Sequence, residues 1–177
     1  MDSGLGLLVV CDVVVAVANA RFTVAEVKLG QAPVTIASFF ARKVGPAHAK
    51  RILCMADSLS AVDARRIGLI TEVVDEVVDF PQYVESFCDK VTLCAPLAAA
   101  RAKRLASDVS MRPLTVKVLE HTAEEYDDIR QGNEAAKGRA AVQARTKPFW
   151  ADNPIKPLSW ELPRCAVAPP SHLVMLV

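Results

Sequence analysis

Leu5–Pro33, LGLLVVCDVVVAVANARFTVAEVKLGQAP, sets one carboxylate, Glu26, among mostly apolar or small residues, with Leu29-Gly30 and Pro33 close behind it. A lone acid in such a setting is either a paired structural group or a general acid/base. The stretch divides into three pieces. Asp2-Ser3-Gly4 suits a helix N-terminus ahead of the apolar run Leu5–Val10. Val13–Val17 is β-branched and nearly uninterrupted, the pattern of a strand buried on both faces. Phe22–Leu29 alternates more loosely, so Phe22, Val24, Glu26 and Lys28 would share one face of a strand. On its residues alone, Glu26 would then be a solvated group beside Lys28. The run is no membrane span: Asp12 interrupts it, and the uncharged stretch falls short of the roughly 20 residues a bilayer requires.

Downstream the pattern turns helical. Ala47–Leu53 and Ala61–Ile67 have helical spacing, with Arg65-Arg66 exposed and Gly68 a natural C-cap. Leu69–Val74 reads as a final short strand. Phe80–Cys94, Pro96–Val109 and Pro113–Arg130 read as three helices, and Asn133–Lys147 as a fourth, alanine-rich one carrying Lys137, Arg139 and Arg145. Prolines at 154, 157, 163, 169 and 170, followed by the apolar end Leu173–Val177, give residues 151–177 the look of an irregular tail.

Four segments stand in register with a known pattern. They are Cys11-Asp12 with Glu26-Val27-Lys28-Leu29-Gly30 thirteen residues on, Pro33, Val44-Gly45-Pro46-Ala47-His48-Ala49-Lys50, and Ser60-Ala61 with Ala64 and Gly68-Leu69. Together they resemble the enoyl-CoA hydratase/isomerase (crotonase) family. The match is nearly continuous from Ser3 to Val74, and a weaker helical resemblance continues to Lys147-Pro148-Phe149-Trp150. It implies an α/β fold: the C-terminal part of a crotonase-like ββα spiral over 1–75, a helical trimerisation region over 76–150, and the irregular tail 151–177. The family's glycine triplet falls on Asp2-Ser3-Gly4, so only its last member is kept, and Gly6 stands where many members carry a second glutamate. Glycine there, together with Pro33-Val34-Thr35-Ile36-Ala37-Ser38-Phe39-Phe40, is closest to the methylglutaconyl-CoA hydratase-like branch. The resemblance also implies that an N-terminal half ordinarily precedes this region, supplying a second oxyanion amide and most of the acyl-CoA pocket.

Under that resemblance the chain is an acyl-CoA enzyme that adds water across an α,β-unsaturated, branched or straight, acyl thioester. Glu26 is the expected acid/base, its pKa raised by an apolar pocket. The backbone N–H of Ser3, at the start of a helix, is an expected oxyanion donor. Substrate contacts fall on Gly4, Ala25, Leu29 and Val34, the loop around Val34–Phe40 forms part of the acyl pocket, and Arg145 aligns with a basic residue that reaches the CoA phosphates from an adjacent subunit. On its own, Arg145 reads more readily as a solvated cation at a helix C-terminus than as a ligand contact. A single glutamate also suits double-bond migration by a Δ3,Δ2-enoyl-CoA isomerase. A third reading, of another class, is a truncated and catalytically silent homologue that acts only in assembly or not at all.

The remaining signals are exclusions. No separate cofactor is expected, coenzyme A being part of the substrate. Cys11, Cys54, Cys88, Cys94 and Cys165 show no CxxC pairing and have no regular spacing with His48, His121 and His172, so neither zinc nor a disulfide framework is expected. The acidic run Glu124–Asp128 reads as a solvated helix face. A formal net charge of +1 over 177 residues gives no reason to expect nucleic acid or a membrane surface as partner. The expected partners are the acyl-CoA thioester and further copies of the chain, as trimer or hexamer. With Asp2 and no basic n-region arguing against a signal peptide, the expected compartment is the mitochondrial matrix or the cytoplasm.

Overall fold

The computed structural model describes residues 3–110, 112–151 and 173–176, in two compact units: residues 1–83 with 161–177, and residues 84–160. Asp2, most of the expected tail, Cys165 and His172 lie outside the described residues.

The first unit is built on strand β1 (Val13–Val17), whose last four residues are buried as the run of valines predicts. Helix α1 (Ser3–Val10) leads into it, and strand β2 (Arg21–Phe22) follows. After a 3-10 helix, Glu26–Leu29, come helices α2 (Val34–Val44) and α3 (Pro46–Met55), strand β3 (Leu59–Ser60), helix α4 (Ala61–Arg66) and strand β4 (Glu72–Val74). A further strand, β5 (Leu173–Leu176), corrects the expectation of an irregular tail at these residues, whose apolar run pairs with β1; of the tail only Ala151 is described besides. The main sheet has the order β4-β1-β5. β1 runs parallel to β4 with Val15 opposite Glu72 and Val17 opposite Val74, and antiparallel to β5 with Val13 opposite Leu176 and Ala16 opposite Leu173. β2 and β3 form a separate two-residue antiparallel ladder.

Phe40, Leu8, Ile52, Leu69, Val14 and Val15 are fully buried and form the heart of the core around β1. Each such side chain contributes about 1.5–3 kcal/mol on leaving water.

Three further expectations need correcting. Phe22–Leu29 is not a strand. Its extended pairing stops at Phe22 because β3 offers only Leu59 and Ser60. Beyond that point the chain tightens, with the Lys28 N–H donating to Ala25 O at 3.0 Å and the Gly30 N–H to Val27 O at 3.2 Å. The expected loop around Val34–Phe40 is the first half of α2. Its β-branched start conceals a helix whose Phe40 and Val44, one turn apart, are driven into the core. The last strand is shorter than Leu69–Val74, because the Leu69 and Ile70 N–H groups both donate to Ala64 O and so close α4 instead of joining the sheet.

Gly45 joins α2 to α3 at φ 81°, ψ 158°, a conformation open to glycine alone, and Pro46 then starts α3. A Cβ at Gly45 would meet nothing within 4 Å, so the constraint is purely conformational. Gly45→Ala is expected to lower the stability of this unit by about 1–3 kcal/mol in urea unfolding. An unchanged midpoint would show that the corner relaxes freely.

The second unit takes up helix α5 (Phe80–Thr92) from Val84 onward, then α6 (Pro96–Ser110), α7 (Val116–Gln131) and α8 (Asn133–Ala144). Pro113 precedes α7 without joining it, and Thr115 caps it by accepting from the Val118 N–H. From α8, the Glu134 carboxylate caps α6, accepting from the Leu97 and Ala98 N–H groups at 3.1 and 2.9 Å. The Trp150 indole N–H donates to Leu93 O at 3.1 Å, and the ring lies over Gly138. No described residue of α6, α7 or α8 is fully buried. Leu97, Leu119, Tyr126 and Val142 are all exposed.

Candidate active site

Glu26 opens the 3-10 helix Glu26–Leu29, with Ala25 at its N-cap. Val24, immediately before, is buried and anchors the turn to the core. The turn closes at Gly30, whose φ of 72° is left-handed, and the Gln31 N–H returns to Glu26 O at 3.0 Å. The Glu26 side chain is half-buried, not enclosed in an apolar pocket, and among the described residues its carboxylate has neither a hydrogen bond nor an ion pair.

Of the expected substrate contacts, Ala25 and Leu29 share the turn with Glu26. Val34 begins α2 four residues after Gly30. Leu29 and Val34 are 76% and 77% exposed, so neither is part of a closed wall here. Phe39 is exposed and Phe40 belongs to the core. Ser3 is the first residue of α1, where a backbone N–H has no intrahelical acceptor. Gly4 follows it, half-buried. A Cβ at Gly6 would lie 3.7 Å from Ile36 Cγ2, which brings α1 and α2 together at this point. Arg145 belongs to the second unit, exposed, as the left-handed C-cap of α8 at φ 54°.

One residue escaped the sequence reading. Lys43, in the last turn of α2, reaches the end of α1, where its ammonium donates to Leu8 O at 3.2 Å and Cys11 O at 2.5 Å. The Cys11 thiol donates to Leu7 O at 3.2 Å in the same place. Burial pushes the Lys43 ammonium below the usual lysine range, while Cys11 and Asp12 pull it partly back up. In the sequence Lys43 is marked only by its place beside Arg42, two cations that fall in the last turn of α2.

The second unit holds a cavity of about 680 Å³ lined by Ala98, Arg101, Asp128, Glu134, Gly138, Trp150 and their neighbours. Its charged groups already have partners: Arg101 pairs with Asp128, and Glu134 caps α6. Glu125, from the same acidic run as Asp128, faces Arg104 at 3.3 Å. None of the expected site residues lines this cavity. Among the described residues there is no cluster of three metal-ligating side chains and no helix long and apolar enough to cross a membrane.

Comparison with known proteins shows the family and the fold. Residues 1–153 match the enoyl-CoA hydratase/isomerase family, and the chain belongs to it. It is 31% identical over 105 residues to the 2,3-dehydroadipyl-CoA hydratase of Escherichia coli, covering 59% of this chain and 41% of that protein. It is 33% identical over 109 residues to the crotonyl-CoA hydratase of Syntrophomonas wolfei, covering 61% of this chain and 42% of that one. The fold superposes on AtuE of Pseudomonas aeruginosa with a TM-score of 0.78 at 31% identity, covering 84% of this chain and 57% of AtuE. The α/β core with a helical C-terminal region is therefore that of a crotonase. The chain spans less than half the length of these two curated relatives.

Two outcomes follow. Gly30→Ala is expected to destabilise the turn by about 1–2 kcal/mol, and Gly30→Asn by much less. A Cβ at Gly30 meets nothing within 4 Å, so an equal loss in both variants would point to steric crowding not present in this geometry. Lys43 adds a pH dependence. Its charged form is disfavoured in the folded state, so the unfolded chain binds that proton more tightly. Stability should then rise as pH climbs through the interval between the lowered folded pKa and the ordinary 10.5. Lys43→Met should remove this rise in thermal melts, and a slope that persists in the variant would assign it to another group.

Proposed function

We propose that this chain carries the proton-transfer half of an enoyl-CoA hydratase site, with Glu26 as its acid/base. Glu26 removes a proton from water as the water oxygen bonds to Cβ of an α,β-unsaturated acyl-CoA. The electron pair of the double bond passes to the thioester as an enolate. The same carboxyl group then returns the proton to Cα, so that H and OH are added and nothing else is consumed. The Ser3 N–H, at the positive end of α1, receives the oxyanion of the enolate; such donors are commonly worth about 3–4 kcal/mol in acyl transfer. The observation that carries this reading is the carboxylate of Glu26: half-buried, without a partner among the described residues, and held by a turn that Gly30 closes.

Substrate contact is proposed for Gly4, Ala25, Leu29 and Val34, with Arg145 of one copy reaching the CoA phosphates bound by another. The exposed apolar side chains of α6, α7 and α8, Leu97, Leu119 and Val142 among them, support assembly into a trimer or hexamer. A branched acyl group is the proposed substrate, in a mitochondrial matrix or cytoplasmic setting. The exposure of Leu29 and Val34 favours a second reading, in which the chain acts only within an assembly and not as an enzyme by itself.

The discriminating measurement is loss of enoyl-thioester absorbance with branched and straight-chain acyl-CoA, on wild type and Glu26→Gln. Turnover that falls by about 10²–10⁴-fold in the variant, with an unchanged melt and circular dichroism spectrum, supports the hydratase. Wild-type turnover in Glu26→Gln overturns the role of Glu26. A folded wild type that binds thioester without turning it over decides for the second reading.

A further inference from the structure

We propose that Lys43 is a positioning residue for the thioester oxyanion, acting through helix α1; this rests on the reading above, in which the Ser3 N–H is the donor. Helix α1 is poorly equipped to hold itself in place. It has eight residues, of which Gly4 and Gly6 each disfavour the helix by roughly 0.5–1 kcal/mol relative to alanine. Val9 and Val10, at its other end, are β-branched. Helices this short are not stable in water without tertiary anchors.

The anchor lies at the C-terminal end. The last carbonyls of a helix lack intrahelical donors, and there the Lys43 Nζ takes Leu8 O and Cys11 O, the Cys11 Sγ takes Leu7 O, and the Cys11 N–H takes Leu8 O at 3.3 Å. Three donors from two side chains and one backbone group thus gather three acceptors of the α1 exit, Leu7 O, Leu8 O and Cys11 O, into one knot, and the cation in it comes from α2. Two consequences reach the other end of the helix. An element only about 12 Å long moves as one body, so where its C-terminus is pinned decides where the Ser3 N–H lies. The ammonium also neutralises the negative end of the helix, leaving the positive end at Ser3 uncompensated for an incoming oxyanion. Lys43 touches neither substrate nor reacting atoms. Its effect on the reaction is carried by the backbone.

The test uses the full chain as wild type, Lys43→Met, Lys43→Gln and Lys43→Arg. The probe is an aryl-conjugated α,β-unsaturated acyl-CoA thioester, whose absorption moves to the red when its carbonyl is polarised. Wild type is expected to shift the probe. Lys43→Met should bind it within a few-fold of wild type but lose the shift, with kcat lowered about tenfold and KM little changed. Lys43→Arg, still a cationic donor, should recover most of both. Amide exchange should speed up across residues 5–10 in Lys43→Met and stay slow in β1. Should Lys43→Met not fold, Lys43→Gln, a neutral donor able to keep one carbonyl, is expected to show the same losses in part. A Lys43→Met protein that retains both the spectral shift and slow exchange in α1 overturns the proposal. Wild type that fails to shift the probe overturns it differently, because the hydratase reading has then failed while the α1 exchange data still report the clamp.

Discussion

The backbone of β1 must find its hydrogen bonds inside the protein, because both faces of the strand are buried and no water reaches it. That constraint organises the first unit. β4 pairs with one edge and β5 with the other. Thr71 extends the first ladder, its hydroxyl accepting from the Val14 N–H at 3.1 Å and its own N–H donating to Val14 O at 2.8 Å. With β1 held along both edges, the chain on either side of it has little freedom. Upstream, α1 must dock its Leu8 and Val9 onto the same core. Downstream, the chain turns at Ala18–Ala20, enters the short β2 ladder and places Val24 inside, which leaves Glu26 at the edge of the core, half in water.

The candidate site is thus assembled mainly by backbone geometry. The Glu26 turn is closed by a left-handed glycine, and the expected oxyanion donor is a helix-terminal N–H. Few charges are spent on holding these parts. The exception is Lys43, half-buried, which donates to two carbonyl acceptors at the end of α1. The second unit is organised in the opposite way: its helices are tied by exposed ion pairs, such as Arg104–Glu125, and by the Glu134 cap, while its apolar side chains remain largely uncovered. Exposed ion pairs of this kind typically contribute less than about 1 kcal/mol each.

Much of the fold was legible in residue order. Four valines among the five residues Val13–Val17 announced β1, and the register of Cys11-Asp12 with Glu26, Leu29-Gly30 and Pro33 announced the family. These are local signals: β-branching and spacing along one chain. α2 was illegible because Val34, Thr35 and Ile36 favour extended structure, and only the burial of Phe40 and Val44 overrides them.

By itself, then, the sequence determined the buried strand, the helical C-terminal region and the crotonase family, since each is written in short-range pattern or in residue type. Tertiary structure alone decided that Glu26 sits on a 3-10 turn and not a strand, that Val34 opens a helix, and that Lys43 clamps α1. The first follows from a partner strand, β3, that is too short to extend the ladder. The other two depend on groups more than thirty residues apart or on the competition for one core, which local spacing does not encode.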